Sequence, residues 1–253
     1  MPKTLPILRN MDDCRLPCSC RTALWLLIVA VLLVPAAQVM AQESVPVHLE
    51  PRHRLVFNRL PVRILDVQIQ PGDTTLYHTH TSAILYVTIG VSPTNQQTLG
   101  GEWGSVNLSS QPRGDPGTFM AVTSYAEREL THRVTNVGDS LFRLIGIANY
   151  GPGVQGDRSA VSEDVPGVVE VDNPWHRAWR YVLEPGDSTP SHTSSTAMVG
   201  LQVTPGQVEV TTGTSARGVL AEPGAWFFSQ PGSQYTIRNA GREPVEFVIV
   251  QVR

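Results

Sequence analysis

From about residue 60 to the end of the chain, apolar residues recur at every second position in short runs, and each run is closed by a Gly, Pro, Asn or Asp turn. Residues 60–70 carry Val62, Ile64, Val67 and Ile69 and stop at Pro71-Gly72-Asp73. Strands are predicted over 74–80, 83–91, 103–108, 118–124, 131–135 and 141–148, with polar loops at 93–101 and 110–116. The run at 83–91 is almost wholly aliphatic, which predicts burial on both faces. After a weakly patterned stretch at 151–173, with an edge strand expected near 168–171, strands resume at 180–183, 197–203, 208–212, 217–221, 225–229, 235–238 and 245–252. No segment has sustained helical periodicity. Many short strands between tight turns predict an all-β sandwich or barrel.

The pattern is duplicated. Asp66-Val67-Gln68-Ile69-Gln70-Pro71-Gly72-Asp73 lies over Arg180-Tyr181-Val182-Leu183-Glu184-Pro185-Gly186-Asp187, and Thr135-Asn136-Val137-Gly138 lies over Arg238-Asn239-Ala240-Gly241. Two anchors in the same order in both halves predict tandem units. The expected division is 1–41 as a leader, 42–55 as a tether, 56–150 as the first unit, 151–173 as a linker and 174–253 as the second unit.

The leader changes the picture of location. An apolar run over 22–37 follows Arg9, Arg15 and Arg21 and precedes Val39-Met40-Ala41, the layout of an export signal cleaved after Ala41. A periplasmic or secreted protein is expected, with a membrane anchor formed by 22–37 as the alternative. Cys14, Cys18 and Cys20, the only cysteines, fall in the leader, so the expected mature chain folds without disulfides. A formal net charge of −3 argues against nucleic acid as a partner.

The candidate chemistry sits just after the first Pro-Gly-Asp turn. In a strand, His78 and His80 point to one face, and two convergent neutral imidazoles are most of a transition-metal site. Gly72, followed by five residues and then His78-Thr79-His80, together with His132 and Asn136 further along, resembles the motifs of the cupin superfamily. The duplication resembles a two-domain bicupin. That resemblance implies two tandem jelly-roll barrels and a metal held in the first by His78, His80 and His132. It also exposes a departure, because Ile84 and Leu85 stand where the family carries a glutamate ligand; Glu127 or Glu129 are the candidate substitutes. In the second unit Ser194 replaces the second histidine of the motif, Met198 and Val199 stand near the glutamate position, and Tyr235 replaces the later histidine. Only His192 remains there, and no metal is expected.

Three histidines without a carboxylate leave the full charge of a divalent ion uncompensated, favouring a small anionic or chelating ligand. Some iron dioxygenases of the superfamily share this pattern, so the resemblance implies Fe(II) first, with Mn, Ni or Zn as alternatives. An oxygenase-like enzyme, a non-catalytic small-molecule-binding or sensing cupin, and a structural bicupin without metal all stay open, as does a homodimer. Trp103 and Phe119 are candidates for the pocket wall, although strand aromatics are more commonly packing; Asn136 is expected to hold its turn, and either Leu85 or Tyr86 should enter the cavity. His48, His53 and His176 read as surface residues.

Overall fold

The structure is a computed structural model in which residues 43–106, 115–156, 167–213 and 216–253 are described. The leader, with its apolar run and cysteines, lies outside the described residues, as does the middle of the expected linker. Among the described residues no helix is long and apolar enough to cross a membrane.

Among the described residues nineteen strands form four sheets. The first half builds two. One contains β1 (Ser44–Pro46), β4 (Tyr77–His80), β9 (Leu130–Asn136), β6 (Thr94–Thr98) and β7 (Trp103–Val106) in that order. The other orders β2 (His53–Arg59), β3 (Val62–Ile69), β10 (Phe142–Asn149), β5 (Ala83–Gly90) and β8 (Phe119–Val122). The second half repeats the scheme. One sheet runs β11 (Val168–Asp172), β12 (His176–Leu183), β19 (Val245–Val252), β14 (Ala197–Gln202) and β17 (Trp226–Ser229). Its companion is β13 (His192–Thr193), β18 (Gln234–Asn239), β15 (Val208–Thr212) and β16 (Ala216–Leu220).

The aliphatic strands are buried on both faces for a specific reason. Leu65, Val67, Ile69, Ile84, Tyr86, Phe142 and Leu144 fill the first barrel, whereas Ile64, Leu85, Val87, Ile145 and Ile147 on the opposite face pack against Val199, Leu201, Val248 and Val250 of the second. Trp179, Met198, Tyr235, Ile237 and Phe247 fill the second barrel. The imperfect alternation of β3, where Ile64 faces the junction and Leu65 the interior, coincides with a register shift opposite Leu55 and Phe57 on β2. At the rim of the junction Arg180 pairs with Glu170 and Glu246 of its own half and donates to the Gly117 carbonyl of the first at 2.5 Å.

The duplicated turns are locked in the same way. Gly72 and Gly186 adopt φ of 78° and 86°, a left-handed conformation that favours glycine. Their N–H groups donate to the carbonyls of Asn136 and Asn239. The Asn136 amide donates to the Ile69 and Ser140 carbonyls and accepts from Gly138 N–H; Asn239 does the same with Leu183, Glu243 and Gly241. Asn136 therefore holds its turn as expected.

Three expectations fail here. The tether is part of the barrel: β1 pairs in parallel with β4, a 3-10 turn over Val47–Leu49 buries Val47, and β2 begins at His53. The loop expected at 93–101 contains β6, which pairs with β9 across Gln96↔Val134 and Thr98↔His132. Its sequence, Thr-Asn-Gln-Gln-Thr, shows no apolar alternation because its inward residues line a polar part of the cavity.

His176 is also not a surface residue. It is 0% exposed at the start of β12, and burial pushes its imidazole down to about 3, with the Arg253 charge adding to the effect and the Ile147 backbone opposing it. A histidine with a depressed folded-state value stays neutral in the native protein while the unfolded chain takes up a proton below the ordinary 6.5. Its contribution is therefore intact above pH 6.5 and is lost as the pH falls toward 3. Denaturant unfolding between pH 4 and pH 6 is expected to show His176→Leu with a pH slope shallower than wild type by up to about 1.4 kcal/mol per pH unit; equal slopes would place the titration elsewhere. At the junction, Leu85→Ala should cost about 2–5 kcal/mol and lower the thermal midpoint of one common transition, since the side chain belongs to both halves. Separate transitions for the two halves would count against that packing.

Candidate metal centre

Strand pairing brings the predicted histidines together. In the antiparallel β4–β9 pair, His78 lies directly opposite His132, and His80 follows two residues along the same face of β4. All three are buried. The His80 and His132 Nε2 atoms are 3.2 Å apart, and the His78 ring centre lies 5.0 Å from that of His80 and 4.7 Å from that of His132.

A fourth imidazole enters from the facing sheet. His53, the first residue of β2, is 4% exposed and its ring centre is 4.2 Å from that of His78. His53, His78 and His80 can each present a ligand atom within 4.8 Å of the others. His53 reads as a surface residue in the sequence because it falls in the expected tether; a usable signal is its two-residue spacing from Leu55, which also packs toward the first barrel's core.

The turn before β2 aims this ring. Glu50 accepts the His53 backbone N–H on its carbonyl, while its carboxylate accepts the Arg52 N–H at 2.7 Å, the Leu76 N–H at 3.1 Å and the His53 Nδ1–H at 2.7 Å. Burial pushes the Glu50 carboxyl up, but the bond and charge of His53 together with the two backbone donors outweigh it, and the group lies below its ordinary range. Leu76 connects both sides, since its carbonyl accepts His78 Nδ1–H at 2.9 Å.

Each partner fixes a tautomer. With Nδ1 engaged by Leu76 and, at 3.3 Å, by the Gln96 side-chain oxygen, His78 and His132 present Nε2 as the lone-pair nitrogen, and with Nδ1 bonded to Glu50 the Nε2 of His53 is the nitrogen outside that bond. His78 Nε2 is buried without a hydrogen-bond partner. Burial first, and then the neighbouring imidazoles, hold His78 and His80 well below the ordinary histidine value and push His132 down to about 4. These three rings are therefore neutral ligands at neutral pH.

The donor set fits a transition-metal ion. Nitrogens about 2.1 Å from one ion are about 3.0 Å apart at right angles and about 3.4 Å apart at the tetrahedral angle; the 3.2 Å between His80 and His132 falls between. A buried lone pair without a donor, such as that of His78, is the position such an ion would satisfy.

Beside the cluster is a cavity of about 230 Å³. His53, His80, His132, Gln96, Thr94, Tyr86 and Tyr125 form its polar lining, and the remaining wall is apolar, with Val67, Ile69, Met120, Val122, Val134, Phe142 and Leu144. Tyr125 stacks on His80 at 4.7 Å. Tyr86, not Leu85, enters the interior, and Gly146 gives its ring room: a Cβ there would lie 3.0 Å from both Ile84 Cδ1 and Tyr86 Cε1.

Several candidate neighbours are elsewhere. Glu127 and Glu129 are exposed and line no part of this cavity, so neither replaces the missing glutamate. Trp103 is exposed and lies under Arg133, and Phe119 packs at the barrel junction under Arg180. In the second barrel His192 lies opposite Tyr235, as His78 lies opposite His132, but Met198, Tyr235 and Phe247 fill the interior. Among the described residues only the first barrel gathers three metal-type ligands.

No known family's sequence pattern matches the chain, and no curated protein does. Solved structures do. AerE from Microcystis aeruginosa matches over 78% of this chain and 90% of its own at 9% identity, with a TM-score of 0.57. Salicylate 1,2-dioxygenase from Pseudoaminobacter salicylatoxidans, solved as adducts with gentisate, matches over 92% of this chain and 79% of its own at 11% identity, with a TM-score of 0.55. At such identities the likeness concerns the backbone. The chain thus has the bicupin fold, two cupin jelly-roll barrels in tandem.

Proposed function

We propose that this chain is an exported bicupin that binds one divalent transition metal in its first barrel, through His78, His80 and His132, and acts on a small anionic or chelating compound. The observation that carries the reading is the buried cluster of imidazoles, with His78 Nε2 unpartnered and His53, His80 and His132 lining a cavity. The leader supports export, and the fold shared with a salicylate dioxygenase supports iron ahead of Mn, Ni or Zn. A bound divalent ion would supply Lewis acidity and, as iron, redox chemistry with dioxygen.

The chain's own residues shape the rest. The apolar wall lowers the local dielectric around the cluster, which strengthens electrostatic contacts inside. Gln96 orients His132 through Nδ1, and stacked Tyr125 restrains His80. Tyr86 makes no hydrogen bond to another described residue and can donate its O–H to an oxygen of a ligand in the cavity. Burial, joined by the neighbouring Tyr125 and Tyr150, raises its phenol well above 10.0, so it remains a proton-bearing donor at neutral pH. The cavity lining contains no lysine, arginine or carboxylate, so charge recognition falls to the metal.

Elemental analysis of the protein from metal-replete medium, followed by anaerobic Fe(II) titration, should give about one ion per chain, and His80→Ala should weaken binding by at least about 100-fold. A metal-free protein, or unchanged affinity in the variant, would sink the reading. Tyr86→Phe should leave Fe(II) affinity unchanged and weaken binding of a chelating acid by about tenfold or more, the worth of one hydrogen bond to a charged group. Calorimetric titration of the loaded protein with simple hydroxy and keto acids measures this.

A further inference from the structure

The glutamate missing from the metal motif has a counterpart elsewhere in the chain. We infer that His53 is a fourth metal ligand and that Glu50, bonded to the far side of its ring, supplies the negative charge that a directly coordinated carboxylate would otherwise bring. The inference rests on the metal-binding reading above and specifies its ligand set.

Four observations carry it. The interior position on β5 where a ligand glutamate would stand is Ile84, and its neighbour Leu85 points to the other barrel. Ligand atoms of His53, His78 and His80 lie within 4.8 Å of one another, and His132 adjoins them, its Nε2 3.2 Å from that of His80 and its ring centre 4.7 Å from that of His78. The Nδ1 of His53 is committed to Glu50, so only Nε2 is left for a ligand. Finally, the Glu50 carboxylate is fully buried and faces three N–H donors, with the Arg52 guanidinium 4.0 Å away as its cationic neighbour.

A carboxylate behind a ligating imidazole orients the ring, fixes its tautomer and raises its basicity. The charge then reaches the ion through the ring without occupying a coordination position. A site with four imidazoles and an outer carboxylate keeps a net positive inner sphere for an anionic ligand.

Zn(II) binding to the purified full-length protein tests this without reference to turnover. X-ray absorption of the Zn-loaded wild type should show four imidazoles, and His53→Ala should show one fewer, with the fourth restored by added imidazole. Glu50→Gln should keep four imidazoles and bind Zn(II) about 10–100-fold more weakly by chelator competition, because a carboxamide offers one acceptor oxygen where three donors converge. Circular dichroism monitors the fold. If His53→Ala unfolds, His53→Gln preserves most of the volume and gives the same ligand count. Wild-type binding with an unchanged count and affinity in the His53 variant would overturn the fourth ligand while leaving metal binding intact. Unchanged affinity in Glu50→Gln would overturn the role of the carboxylate. A wild type that binds no Zn(II) would overturn this inference and the metal reading together.

Discussion

A carboxylate cannot be buried unless the chain brings donors to it, because an unpaired charge in an apolar interior is far more costly than any local rearrangement. Glu50 imposes that requirement on the first barrel. Meeting it folds the segment before β2 into a tight turn, places His53 within the cavity and ties the turn to the peptide of Leu76, where the histidine-bearing strand begins. The carbonyl of the same residue then holds the His78 ring. One buried anion therefore sets the positions of residues from two sheets that are distant in sequence, and an imidazole cluster that would otherwise be a loose set of neutral rings becomes an arrangement with defined tautomers.

The packing of the two halves follows a different logic. A sheet buried on one face needs alternation; a sheet buried on both needs continuous apolar residues. Strands β3, β5 and β10 have one face in the first barrel and the other against β14 and β19. The site is thereby built on a wall whose back is covered by the second barrel. A second barrel with no gathered ligand set still has a mechanical task, since Leu85 and Ile145 would face water without Val199 and Val250.

Much of this was legible from residue types. The duplicated Pro-Gly-Asp turns, the aliphatic runs and the spacing of His78 and His80 identified the fold and one half of the cluster, because turn chemistry and period-two patterning are local properties. Three features were not local. His53 and Glu50 lie among Arg, Pro and His residues that read as a solvated tether, and their burial depends on β1 and β2 joining opposite sheets. The strand β6 carries polar inward residues because Gln96 serves His132, so it lacked the alternation that identifies strands. His176 is apolar by environment alone, enclosed where the barrels meet.

The paired asparagines separate two kinds of inheritance within one chain. Asn136 and Asn239 make the same set of bonds to their own turns, although the strands that carry them have diverged at the positions facing the interior, His132 in one and Tyr235 in the other. The atoms that close the turn and the atoms that face the cavity belong to different residues of the same strand. A barrel of this kind can exchange chemistry for packing without reopening its architecture, so the two halves amount to one scaffold in two states of commitment, one kept hollow and the other filled.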